Sequence, residues 1–303
     1  MRVSYSPGYH ADLPKGHIFP MGKFTALHRL LLDKGILREK DIVEPGMADF
    51  VNLCTTHTAG YTSAVWEGTL TRKEQRRMGL PWSKSLAIRS RLAVQGTINA
   101  GLMALEDGIS GNLAGGTHHA MPGLGEGFCV YNDVAVAIKV LKQSMWVKNV
   151  LVIDCDVHHG NGTAEIFKDD DHVYTFSIHG EKNYPFIKPS STLDIGLPDN
   201  TGNKEYINAL TDALDVIYSS FEPDLIFYLA GIDPLVTDHF GRLSLTVQGI
   251  EDREHLVIKS AVNRDIPITL LLSGGYAPTV QQTAEAHSIV YKTAKQIYNS
   301  GFH

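Results

Sequence analysis

One stretch limits the folds open to this chain more than any other: residues 150–163, VLVIDCDVHHGNGT. The apolar run from Val150 to Ile153 predicts a buried strand. It ends in Asp154, Cys155, Asp156, Val157, His158 and His159, followed by Gly160-Asn161-Gly162. In an extended chain alternate side chains share a face. Asp154, Asp156 and His158 would therefore leave the strand end together. Two carboxylates and an imidazole are costly to bury unless they bind a metal or one another. The stretch thus predicts the core of a metal site at the end of a buried strand.

The rest of the chain fits around such a strand. Leu27, Leu30 and Leu31 give residues 23–34 a helical period that stops at Gly35. THTAGYTSAVWEGTL predicts a short helix with threonine caps, and residues 84–107 the longest amphipathic helix, with Gly96 and Gly101 marking close packing. Further strands are expected at 112–115, 172–178, 224–231 and 268–275. Further helices are expected at 133–145, 204–221, 248–263 and 279–299, with a short one from Thr163 to Phe167 and a loop over 179–203. Strands that alternate with helices, several of them apolar throughout, predict an α/β fold: a mostly parallel sheet covered by helices on both faces. With no repeat, linker or break in composition, residues 1–303 read as a single domain. The clusters GGTHH, DCDVHHGN, GID and SGGY each follow a strand. In open α/β sheets that edge carries the ligand crevice.

Composition narrows the classes of function. Apolar residues make up 43% and charged residues 20%, which suits a soluble protein with a substantial core. A net charge of −6 gives no basis for direct nucleic-acid binding, although it would attract a basic protein tail. The N-terminal MRVSYSPGYHADLPKG lacks the apolar core of a signal peptide, and no apolar run approaches the roughly 20 residues of a membrane helix. Cys54, Cys129 and Cys155 are scattered and odd in number, which predicts no disulfide framework and a reducing, cytoplasmic setting.

Asp156, His158 and Asp233 make the expected metal-ligand set. Catalytic Zn²⁺ takes about three protein ligands and keeps one position open; an oxygen-rich set also leaves room for Fe²⁺ or Mn²⁺. Taken alone, Asp156 and His158 would equally serve as a strand-end hydrogen-bonded pair, and Asp233 as a turn residue. His118 and His119, adjacent in a glycine-rich loop, suit two proton-transfer tasks if their partners differ. A surface pair or a second pair of metal ligands reads the same way. Tyr276 follows Gly274 and Gly275, which let the backbone approach a ligand; its hydroxyl could donate to an oxyanion or lie at an ordinary turn. PGLGEGF lacks the spacing and lysine of a phosphate loop and better suits a tight loop that sets Phe128 in a pocket wall. His57 reads as a structural or rim histidine.

Four segments, GGTHHAMPGLGEGFCVYNDVAVAI, VLVIDCDVHHGNGT, LAGIDPLVTDHFGRLSLT and LLSGGYAP, resemble the zinc-dependent histone deacetylase family in order and interval. That resemblance implies the arginase–deacetylase fold. It implies that His118 and His119 handle protons, that Asp156, His158 and Asp233 hold Zn²⁺ (or Fe²⁺), and that Tyr276 polarises the amide carbonyl. Gly127 and Phe128 match the wall of an acyl-lysine tunnel, with Gly274 and Gly275 also placed along it. Asp154 then moves back from the metal to orient His118 and, with Ser177, to hold a structural K⁺. Asn161 stands where first-class members carry Asp beside the second histidine, so His119 is expected to be the more readily neutral. The compact chain and the opening KGHIFPMGKF look like class IV and bacterial histone deacetylase-like amidohydrolases.

The implied activity is metal-dependent removal of an acyl group from N-ε-acyl-lysine, in a protein or peptide, or from a related acylated amine. An acetylpolyamine or other small-molecule amidohydrolase is the alternative on the same site. An arginase-like ureohydrolase would need more Asp and His ligands than are suitably placed, and a binder that has lost catalysis would not need Tyr276. Acyl chain length and oligomeric state have no sequence signal.

Overall fold

All of Val150–Asp154 is buried, as a strand covered on both faces requires. The computed structural model describes residues 1–301. Its strands are β1 (Arg2–Ser4), β2 (Ile42–Val43), β3 (Ile109–Asn112), β4 (Val150–Asp154), β5 (Val173–Gly180), β6 (Leu193–Leu197), β7 (Leu225–Leu229) and β8 (Ile268–Leu271). Its helices are α1 (Lys23–Asp33), α2 (Phe50–Cys54), α3 (Ala59–Glu67), α4 (Arg72–Met78), α5 (Lys84–Asp107), α6 (Asp133–Gln143), α7 (Asn161–Phe167), α8 (Asn203–Ser220), α9 (Val247–Val262) and α10 (Val280–Gly301).

The strands form one sheet in the order β2-β1-β3-β8-β7-β4-β5-β6, every neighbouring pair parallel. The sheet is therefore wholly parallel rather than mostly so. Alternation along β3 shows how its two faces are covered. The Ser110 hydroxyl donates to the Ala100 carbonyl of α5 on one side, and Gly111 leaves room on the other for the Tyr291 ring of α10. Register levels the carboxyl ends at the centre, where Asp154 of β4 lies opposite Ser177 of β5 and Leu229 of β7. Among the described residues, no helix is long and apolar enough to cross a membrane. The three cysteines are unpaired.

Several boundaries differ from the sequence expectation. The strand expected at 112–115 is β3, three residues earlier. Gly108, at φ +78°, turns the chain as soon as α5 ends, so pairing starts at Ile109. The loop expected over 179–203 contains β6, whose Asp194 and Gly196 face solvent while Leu193 and Ile195 are half-buried. That is an edge strand, where polar residues are tolerated on the outer face. Helix α4, RKEQRRM, has almost no apolar stripe; it is set by a capping box in which Thr71 and Glu74 satisfy each other's backbone N–H.

Gly96 and Gly101 do mark close packing. A methyl at Gly101 would lie 2.7 Å from Leu141 Cδ1, and one at Gly96 would collide with the Tyr9 hydroxyl, itself hydrogen-bonded to Asn112 Oδ1 at 2.7 Å. Gly96→Val should therefore cost about 3 kcal/mol through overpacking, seen as a lower urea midpoint at unchanged slope. A midpoint equal to the parent's would show that Tyr9 and Asn112 can give way.

Candidate active site

Beyond the ends of β4 and β7 the chain brings Asp156, His158 and Asp233 together. One donor atom from each lies within 4.8 Å of the others. His158 Nδ1 is 3.0 Å from Asp156 Oδ1 and 3.1 Å from Asp233 Oδ2. Backbone and hydroxyl donors fix the carboxylates: Val157 N–H donates to Asp233 Oδ1 at 2.9 Å, while Gly274 N–H and Ser273 Oγ donate to Asp156 Oδ2 at 2.6 and 2.7 Å. Gly274 can approach this closely only because it lacks a Cβ, which would lie 2.6 Å from Asp156 Oδ2 and clash with Asp233.

The charges in this cluster make opposing demands. Burial, then the charge of Asp156, pushes the Asp233 carboxyl up to about 7. Burial also disfavours charge on Asp156, but His118 and His158 hold it well below its ordinary value. Burial works against charge on His158 too, yet the two carboxylates carry that ring up to about 10. Two buried carboxylates therefore draw positive charge to the point between them. A divalent cation bound there would supply that charge, and two carboxylate oxygens with one imidazole nitrogen make a candidate donor set for a metal.

His118 and His119 stand beside this cluster on the loop after β3. Asp133, at the start of α6, ties that loop down by accepting from the N–H groups of Gly116 at 3.2 Å and Thr117 at 2.7 Å. Both rings are buried, with centroids 4.1 Å apart. Their partners differ: His118 Nδ1 lies 2.6 Å from Asp154 Oδ2, and His119 Nδ1 lies 2.6 Å from Asn161 Oδ1. Burial opposes charge on His118, but Asp154 and Asp156 raise it to about 9. Burial, with His118 and His158 nearby, drives His119 well below its ordinary value. Since carboxylate and amide oxygens only accept, Nδ1 carries the proton in both rings, and neutral His119 keeps its lone pair on Nε2. Ser177 sits beside Asp154 in register, but its hydroxyl is engaged with His179 Nδ1 at 3.0 Å.

The approach to this centre is a pocket of about 330 Å³ lined by Gly127, Phe128, Tyr184, Phe240 and Tyr276, with His119 and His158 in its lining. Phe128 adopts φ +65°, a left-handed conformation unusual for an aromatic residue, held by its N–H donating to the Met78 carbonyl at 2.8 Å. Tyr276 packs on Phe240 at 4.9 Å, and its backbone N–H donates to Asp238 Oδ2 at 2.6 Å. Burial, then the charge of Asp156 and Asp233, raises the Tyr276 hydroxyl well above its ordinary value, so it stays protonated as a donor. Gly274 lines a smaller inner cavity of about 40 Å³. Gly275 lines neither space, but its carbonyl lies 3.5 Å from Lys23 Nζ.

Sequence reading missed two cations beneath the site. Lys23 and Arg89 line the inner cavity, both buried. Lys23 Nζ donates to the Ser273 carbonyl at 3.2 Å, and burial lowers the ammonium to about 8 against the pull of Asp233 and Asp156. The available signal was helical phase: Lys23 shares the buried stripe of Leu27 and Leu31, and Arg89 that of Leu86 and Ala93. Glu126 was missed as well; it takes Arg77 at 2.8 Å and the Tyr184 hydroxyl at the pocket mouth. His57 is structural, buried between the Met121 carbonyl and the Asn132 N–H.

The histone deacetylase domain model matches residues 17–292. An uncharacterized protein of Picosynechococcus is 42% identical, covering 98% of this chain and 99% of that protein. Histone deacetylase 2 of Arabidopsis thaliana is 30% identical over 90% of this chain and 74% of the relative, and the acetoin utilization protein AcuC of Staphylococcus xylosus is 29% identical over 86% and 72%. In fold, the HDA15 HD domain superposes with a TM-score of 0.82 at 23% identity, covering 97% of this chain and 89% of the other. A histone deacetylase homologue crystallised with SAHA gives 0.79 at 24% identity, covering 99% and 89%. The chain belongs to the histone deacetylase family, whose chemistry is amide hydrolysis of the deacetylase type.

The split between the two histidines generates a pH prediction. A base works above its pKa, and His119 lies below its ordinary value beside an amide. Asn161→Asp places a carboxylate there, raises His119 and should move the acid limb of kcat/KM to higher pH. An acid limb that stays in place would mean that His119 is not the titrating base.

Proposed function

We propose that this chain is a metal-dependent amidohydrolase that releases an acyl group from N-ε-acyl-lysine or a closely related acylated amine. The observation that carries the reading is the placement of two oppositely biased histidines beside the Asp156–His158–Asp233 donor set, at the base of an aromatic-walled pocket. Zn²⁺ held by those three residues supplies Lewis acidity and makes water a stronger acid. Fe²⁺ would suit the same donors. In the same reading Asp154 and Ser177, paired in register, would hold a structural K⁺, with the Ser177 hydroxyl shared with His179.

The protein's own groups divide the remaining work. Neutral His119 takes a proton from the attacking water at Nε2. His118, kept charged by Asp154, balances the carboxylates and delivers a proton to the departing amine. The protonated Tyr276 hydroxyl donates to the oxygen of the scissile carbonyl as negative charge builds on it. Gly127, Phe128 and Tyr276 form the pocket wall against which an aliphatic stem would pack.

The pocket lining favours acyl-lysine over an acylated polyamine. A charged polyamine needs a free acid near the mouth. Among the described residues no carboxylate lines the pocket, and Glu126 is already engaged by Arg77 and Tyr184. The three unpaired cysteines suit a cytoplasmic setting.

Acetyl-lysine, myristoyl-lysine and acetylpolyamine substrates, assayed before and after chelation, test this reading. Hydrolysis of an acyl-lysine that stops on metal removal and returns with Zn²⁺ is the expected result; turnover that survives complete removal would end the metal-dependent mechanism. Tyr276→Phe should lower kcat by a factor on the order of 10²–10³. Unchanged kcat would remove Tyr276 from the reaction.

A further inference from the structure

Immediately after His158 the chain places a second histidine, His159, whose side chain goes elsewhere. His159 is fully buried, and its Nε2 lies 3.0 Å from Asp194 Oδ1 on β6. His179, near the end of β5, brings a second buried ring with its centroid 4.8 Å from that of His159, the planes crossing at 83°. One donor atom each from His159, His179 and Asp194 falls within 4.8 Å of the others, the same closeness as in the Asp156–His158–Asp233 set. We propose that His159, His179 and Asp194 form a second site for a divalent metal of the zinc type, separate from the catalytic one.

The donor chemistry supports this. Two imidazoles and one carboxylate are a common Zn²⁺ set, and the Asp194 side chain, 29% exposed, leaves one side open to a water ligand. The outer contacts are already oriented: Ser177 Oγ holds His179 Nδ1 at 3.0 Å, and the Ser191 N–H donates to Asp194 Oδ2 at 2.8 Å. His159 Nδ1 is buried with no hydrogen-bond partner among the described residues. A purely structural His–Asp pair accounts for His159 and Asp194 but not for a second buried imidazole packed edge-on beside them.

The location suggests what such a metal would do. Residues 181–192 connect β5 to β6 and carry Tyr184, whose ring meets His119 edge-on at 5.2 Å and whose hydroxyl reaches Glu126 at the pocket mouth. The His159 N–H donates to the Tyr184 carbonyl at 3.3 Å. A metal shared by His159, His179 and Asp194 would fasten the edge strand and the start of this loop to the strand end that bears His158. The site would thus hold one wall of the pocket without touching substrate.

Metal counting tests this independently of catalysis. The full chain is stripped with chelator, reloaded with Zn²⁺, desalted and measured for zinc per chain, beside Asp194→Asn, His179→Gln and, for the catalytic site, Asp233→Asn. Two equivalents are expected in the parent and one in each variant, with the remaining equivalent in Asp194→Asn still supporting hydrolysis. One equivalent in the parent, abolished by Asp233→Asn, overturns the second site and leaves the catalytic reading intact. Two equivalents that both Asp194→Asn and His179→Gln retain overturn it as well. Should either variant fail to fold by circular dichroism, Co²⁺ titration of the stripped parent decides: two successive sets of visible bands support the site, and a single set rejects it.

Discussion

Two carboxylates buried within reach of one imidazole are the constraint around which this structure is arranged. Asp156 and Asp233 are both almost fully buried, and such charges are tolerated only where donors meet them. The fold supplies donors from several directions: the Val157 and Gly274 N–H groups, the Ser273 hydroxyl and the His158 ring. Behind them Arg253, fully buried, donates to the carbonyls of Cys155 at 3.2 Å and Gly231 at 2.7 Å. These carbonyls lie just before the two ligand-bearing turns, so one guanidinium locks the ends of β4 and β7 together. Glu254 balances its charge at 2.6 Å and in turn accepts from the Tyr228 hydroxyl at 2.6 Å.

The pocket adds a local conformational cost to this electrostatic one. Phe128 and Ser273 both adopt left-handed backbone conformations, at φ +65° and +55°. Non-glycine residues held there cost on the order of 1–3 kcal/mol each. Phe128 forms a wall of the pocket, and Ser273 directs its hydroxyl to Asp156. Both therefore occupy strained positions where a side chain has a task that glycine could not perform.

Much of this was legible in the sequence, for identifiable reasons. Strands β4, β7 and β8 are apolar on both faces, so they stand out as runs, and polar clusters directly after them mark the sheet edge that carries ligands. Alternation alone would have put Asp154, Asp156 and His158 on one metal. The structure gives Asp154 to His118 and brings Asp233 across from β7, because strand pairing, which local alternation does not encode, sets which ends are neighbours. Strand β6 was hidden because an edge strand can carry Asp and Gly, and α4 because its capping box leaves little apolar pattern. Lys23 and Arg89 drew no reading from the sequence although their helical phase points inward. The His159–His179–Asp194 grouping joins three segments whose proximity depends on the β5–β6 pairing.

The position of β8 has a consequence for a chain made from its N-terminus. The last strand in sequence lies at the middle of the sheet, between β3 and β7. Until it is inserted, β2-β1-β3 and β7-β4-β5-β6 are two half-sheets, each with a bare apolar edge of the kind that recruits wrong partners. Asp156, His158 and Asp233 all belong to the second half and can meet as soon as β4 and β7 pair. Ser273, Gly274 and Tyr276 arrive only with β8. Asp156, His158 and Asp233 can therefore come together before β8 is inserted, whereas the Ser273 and Gly274 donors that fix Asp156 are in place only once β8 has joined the two half-sheets.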